Sequence, residues 1–162
     1  MTGERLTEDL LKRLLAASSP EAYLEEGLTM ERTFAGYLHE LLEAKGLKRA
    51  DVYRASGLNS TVVYDAFAGK SRLGRDNALM MAFGLGCSLR EAQRLLKLAG
   101  VAELYPKVRR DAIIIWCLDR GVSREGCDDE LWRFGEKTLL GTCPLRWAVH
   151  SYLPKQIRRD RA

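Results

Sequence analysis

Ser60, Thr61, Tyr64 and Asp65, with Asn59 at their edge, are the side chains best placed to carry recognition chemistry. They lie between Gly57 and Gly69. At about 100° per residue they share one side of a helix, while Val63, Ala66 and Phe67 fall on the other. Hydroxyls, an amide and a carboxylate can donate and accept hydrogen bonds there, but none has a neighbouring base that would make it a nucleophile. Five cations border the set: Lys48 and Arg49 before it, and Lys70, Arg72 and Arg75 after it. The segment KSRLGR carries three bases and no acid, which suits phosphate contacts and equally suits a solvated loop.

Other chemistries lack their residues. There is no phosphate-cradling glycine loop, no nucleophile elbow and no cluster of histidines with carboxylates, so no enzyme is expected. Arg109, Arg110 and Asp111 read as helix-start electrostatics at a solvated edge. Cys87, Cys117, Cys127 and Cys143 form no C-x-x-C pair, and His39 and His150 are far apart. Cys127, Cys143 and His150 are the one conceivable zinc set. Structural sites pair their ligands more closely, so no metal or cofactor is expected and the thiols are expected to be reduced and buried.

The formal net charge is +4, but its distribution says more. Residues 1–43 hold nine acids and four bases; residues 45–76 hold seven bases and three acids. The tail repeats the basic bias with Arg146, Lys155, Arg158, Arg159 and Arg161. A basic centre and tail suit a polyanionic partner. The start, MTGERLTEDLLKRLL, is too acidic for a secretion signal, and Ala112 to Leu118 is too short to cross a bilayer. A cytoplasmic location is expected.

The elements that would position these side chains are all helices. At 162 residues the chain has room for one domain with a small appendage. Thr7 caps a helix to about Ala17 with a Leu10, Leu11, Leu14, Leu15 stripe. Ser19-Pro20 opens a second, closed by Gly27, and a short linker follows to Arg32. Phe34, Leu38, Leu41 and Leu42 mark a helix ending at Gly46. Arg49–Ser56 and Asn59–Ala68 are joined by a turn at Gly57, with Leu58 as an apolar plug. Asp76–Leu85 follows with Leu79, Ala82 and Phe83 inward, and a capping box at Ser88 and Glu91 opens a helix through Leu98.

Beyond Gly100 a helix is expected from about Lys107 to Arg120. Its middle, AIIIWCL, is apolar almost all round, so it is buried on two sides or forms half of a dimer interface through Ile113, Ile114 and Trp116. Leu131, Trp132 and Phe134 would pack a further helix onto it, and Trp147 and Tyr152 would anchor the last segment. The expected divisions are 1–32, a helical extension and linker; 33–100, the central domain; 101–143, a C-terminal helical extension; and 144–162, a basic tail.

The five helices from Thr33 to Gly100 resemble the lambda-repressor-like, or XRE, helix-turn-helix family. The resemblance rests on Arg49, Val52, Ser56, Gly57, Leu58, Thr61 and Val63, then Gly69-Lys70, then the run from Gly84 to Glu91, GLGCSLRE. It covers somewhat under half of the chain. It implies that the helix Asn59–Ala68 enters the DNA major groove while the preceding helix buttresses it. By position, Asn59, Ser60, Thr61, Tyr64 and Asp65 would face bases, and Lys48, Arg49, Lys70, Arg72 and Arg75 would hold phosphates. Where the family usually carries a glutamine this chain has Arg49, and where it usually carries a small residue it has Tyr53. The expectation is a sequence-specific, double-stranded DNA-binding transcriptional regulator acting as a homodimer. The alternative is a protein-interaction module on the same fold that has lost base reading.

Overall fold

The computed structural model describes residues 7–27, 29 and 32–142. Cys143, Trp147, His150, Tyr152 and the basic tail lie outside them. The described residues form nine helices and no strand. These are α1 (Thr7–Ala16), α2 (Pro20–Glu25), α3 (Phe34–Ala44), α4 (Arg49–Ser56), α5 (Ser60–Phe67), α6 (Arg75–Gly84), α7 (Leu89–Leu98), α8 (Arg109–Asp119) and α9 (Arg124–Arg133). None is long and apolar enough to cross a membrane.

The chain divides into two compact units, one ending at Arg32 and the other starting at Thr33. In the first, Ser19 Oγ accepts the Ala22 N–H at 3.2 Å, with Pro20 at the first helical position. Arg13 and Glu26 pair at 3.0 Å across the hairpin. The leucine stripe of α1 is not a core face: the helix has no buried residue, and Leu11, Leu14 and Leu15 are exposed.

In the second unit α6 is the hub. Every residue from Ala78 to Gly84 is buried, because α6 packs on α4, α7 and α9. Small side chains permit the approach to α4. A Cβ on Gly84 would lie 2.8 Å from Ser56 Cβ and 2.9 Å from the Val52 carbonyl oxygen, closer than carbon tolerates. Gly84 is the last residue of α6, and this crossing explains why no side chain stands there.

Residues 101–142 belong to the same core. Leu104, Ile114, Cys117, Leu118, Cys127, Leu131 and Leu139 join the cluster built from α3 to α7. Two links fasten the segment after Gly100 to the helices before it. Gln93 both donates to the Leu104 carbonyl at 2.8 Å and accepts its N–H at 2.7 Å. Arg110 reaches Asp76 at 2.9 Å.

Of the Arg109–Asp111 triplet only Arg109, its side chain 67% exposed, lies at a solvated edge. Asp111 is buried and holds Arg75 at 2.7 Å while accepting the Tyr105 N–H at 3.0 Å. Burial alone would push its carboxyl up; the Arg75 hydrogen bonds, the Tyr105 N–H and the Arg75 and Arg110 charges together hold it below the usual carboxylate value.

Helix α8 resolves the ambiguity of AIIIWCL residue by residue. Ile114, Cys117 and Leu118 are buried, Ala112, Ile113 and Ile115 are half-buried, and Trp116 is 48% exposed. Ile114 is therefore a core residue. In α9 and its C-cap only Leu131 of the three expected packing residues is buried; Trp132 and Phe134 are exposed.

Candidate functional site

The candidate site is built on the junction of α4 and α5. Gly57 ends α4 at φ +75°, a left-handed conformation costly for other residues. Ser56, fully buried, donates from its hydroxyl to the Tyr53 carbonyl at 3.2 Å and accepts the Leu58 N–H at 3.1 Å. Leu58 is buried as the plug. Asn59 Oδ1 then accepts the Thr61 N–H at 2.7 Å and caps α5. Its amide N–H₂ makes no hydrogen bond among the described residues.

Helix α5 buries Val63, Ala66 and Phe67 and leaves Ser60, Thr61 and Tyr64 exposed, with Asp65 half-buried. Its far end is fastened to α3: His39 Nε2 lies 2.9 Å from the Phe67 carbonyl oxygen, and the two rings meet edge to face. Nothing in the local pattern around His39 signals that tie. At 1.5 Å rise per residue α5 is about 12 Å long, and Lys70 and Arg72 follow its C-terminal end.

The cations divide into free and committed ones. Lys48, Arg49, Lys70 and Arg72 are exposed and make no ion pair among the described residues. Arg49 lies over the Tyr64 ring, 5.1 Å from its centroid. Beside it, Asp51 accepts the Lys48 N–H at 2.8 Å and pairs with Arg54 at 2.9 Å. That backbone hydrogen bond and then Arg54 hold the Asp51 carboxyl below its ordinary value.

Arg75, also expected to hold a phosphate, is the exception because its partners lie within the protein. Its Nε donates to the Ala102 carbonyl, Nη1 to Asp111, and Nη2 to both Asp111 and the Glu103 carbonyl. With these groups engaged inside the protein, Arg75 fastens α6 to α8 and has little left for a phosphate.

Behind the junction lies a feature with no local sequence signal. A Cβ on Gly57 would sit 2.6 Å from Arg124 Nε, so the turn rests on the guanidinium of an α9 residue. Arg124 is only 7% exposed, pairs with Asp128 at 2.8 Å and with Glu125 at 3.0 Å, and leaves Nε as a buried unpartnered atom. Asp128 in turn accepts the Leu139 N–H at 2.6 Å.

A groove between α8 and α9 is lined by Ala112, Ile113, Trp116, Glu130, Arg133 and Phe134. Arg120 covers the Trp116 ring at 4.3 Å, and Arg133 covers Phe134 at 4.2 Å. Among the described residues, no three or more histidines, cysteines and carboxylates gather to hold a metal. Burial pushes the Cys87 thiol up to about 12 and raises Cys117 and Cys127 as well. No family model, curated protein or solved structure matches the chain.

Proposed function

We propose that the chain is a sequence-specific, double-stranded DNA-binding regulator that uses α5 as its recognition helix and acts as a homodimer on a two-fold site. The observation that carries this reading is α5 itself. It presents Ser60 and Thr61 and the free amide of Asn59 at its exposed N-terminal end, on a turn fixed by Gly57, between two pairs of uncommitted cations. The resemblance to the lambda-repressor-like family supports the same assignment. Lys48, Arg49, Lys70 and Arg72 hold phosphates, and Ser60, Thr61 and Asn59 meet base edges. Asp65 is accommodated where it accepts from a cytosine amino group. Ile113 and Trp116 on α8 supply the dimer contact.

Selection of bound duplexes from a random pool tests the reading, because it returns both a consensus and the half-site spacing. Four phosphate contacts per protomer give a slope of log affinity against log salt of about −3.6 for each half-site. No salt-dependent binding to any selected duplex overturns the proposal. The second reading, a protein-interaction module without base reading, is favoured by Tyr53 and Tyr64, each 40% exposed beside the half-buried carboxylate of Asp65. It predicts a partner whose capture survives Lys70→Ala and Arg72→Ala.

A further inference from the structure

The geometry points to Tyr64 as a positioning residue, a platform that holds the Arg49 guanidinium in place for a DNA phosphate, and not as a reader of bases. The inference rests on the DNA-binding reading and adds a division of labour within its site.

Arg49 occupies the first position of α4 and Lys48 its N-cap. Cations at a helix N-terminus oppose the macrodipole, and lysine has no side-chain acceptor with which to cap the free N–H groups. Helix stability does not explain either residue. An anionic ligand does, since it is drawn to the same helix end and to both charges. Asp51 does not neutralise Arg49, because its two oxygens are taken by the Lys48 N–H and by Arg54.

Arg49 is exposed and makes no ion pair among the described residues, yet its guanidinium is not loose, because it lies over the Tyr64 ring at 5.1 Å. Cation–π attraction to the ring uses no carboxylate partner, so the guanidinium N–H groups stay open to bidentate contact with a phosphate. Much of the side-chain ordering that binding would otherwise require is thus already present in the free protein. The same contact covers part of the Tyr64 ring. Reading of bases then falls to Ser60, Thr61 and the Asn59 amide, nearer the start of α5.

The test uses the full chain and a duplex obtained by selection, with Tyr64→Phe, Tyr64→Ala, Arg49→Ala and the Tyr64→Ala/Arg49→Ala pair. Tyr64→Phe keeps the ring and is expected to bind as the wild type does. Tyr64→Ala is expected to weaken binding about two- to five-fold, equally for the selected duplex and for its single-base variants. Arg49→Ala is expected to reduce the salt slope by about 0.9. In the Arg49→Ala background, Tyr64→Ala is expected to have no further effect.

An altered base preference at one position in Tyr64→Ala, or an undiminished effect in the Arg49→Ala background, overturns the positioning role and makes Tyr64 a base reader. Failure of the wild type to bind any duplex is a separate result and removes the DNA-binding reading with it. Thermal melts of each variant separate loss of fold from loss of contact.

Discussion

Replacing Asp128 by alanine tests the packing behind the α4–α5 turn without reference to any ligand. Asp128 and Arg124 pair at 2.8 Å with side chains only 11% and 8% exposed, so solvent screens the pair little. The substitution leaves the guanidinium buried with Glu125, whose side chain is 59% exposed and compensates weakly. It also orphans the Leu139 N–H, which Asp128 Oδ1 accepts at 2.6 Å. Stranding one member of a buried pair costs about 3–5 kcal/mol, and the lost amide partner adds about 1 kcal/mol or more. Because the two losses share one carboxylate they do not simply add, and a total of about 4 kcal/mol is expected. Against a stability of about 5–15 kcal/mol for a domain, that is a large fraction. Urea denaturation followed by circular dichroism reads it as a lower midpoint at unchanged slope. Arg124→Met with Asp128→Leu removes both charges and is expected to recover most of the loss. A loss below about 1 kcal/mol for Asp128→Ala would refute the reasoning.

Gly84→Ala places a methyl 2.8 Å from Ser56 Cβ and is expected to cost about 1–3 kcal/mol by urea titration, with Ser56→Gly relieving part of it. Arg75→Ala leaves the buried Asp111 carboxylate uncompensated and is expected to cost about 3 kcal/mol, yet to leave the salt slope of DNA binding unchanged. Lys70→Ala with Arg72→Ala is expected to do the reverse, cutting that slope by about 2 with little loss of stability. The Asp111 carboxyl is held below its unfolded value of 3.8. Its contribution is therefore complete above that value and lost as pH falls toward the folded pKa. Urea midpoints between neutral pH and pH 3 are expected to fall less steeply for Asp111→Asn than for the wild type.

Much of the helical order was legible because its signals are local. Ser19, Ser88 and Ser123 each accept the N–H three residues on, as a capping hydroxyl should. The left-handed glycine, the apolar plug and the Asn59 cap at 57–59 are likewise short-range chemistry, and α4 spans the residues expected of it. The misplacements share a cause. Arg75 with Asp111, Arg110 with Asp76 and Arg124 with Gly57 meet across 36, 34 and 67 residues, and periodicity carries no information about partners at that range. Lacking those partners, Arg75 looked like a loop cation and Asp111 like a solvated carboxylate. Phe134 erred the other way: its aromatic type suggested packing, while it caps α9 with its ring under Arg133.

These long-range pairs change what the C-terminal helices are for. A domain ending at Gly100 would bury a limited fraction of its surface. Helices α8 and α9 add Ile114, Cys117, Leu118, Cys127 and Leu131 to the core, and two charged anchors, Arg75–Asp111 and Arg110–Asp76, fasten the start of α8 to the start of α6. Packed interiors deform little, so elements joined in this way move together. Arg124 then bears on Gly57 in the turn between α4 and α5. A Cβ there meets both a left-handed φ and a guanidinium held by two carboxylates, which leaves the turn no room to open toward α9. The direction of α5, and with it the placement of Ser60 and Thr61, is accordingly set from the far side of the chain as much as by the turn itself.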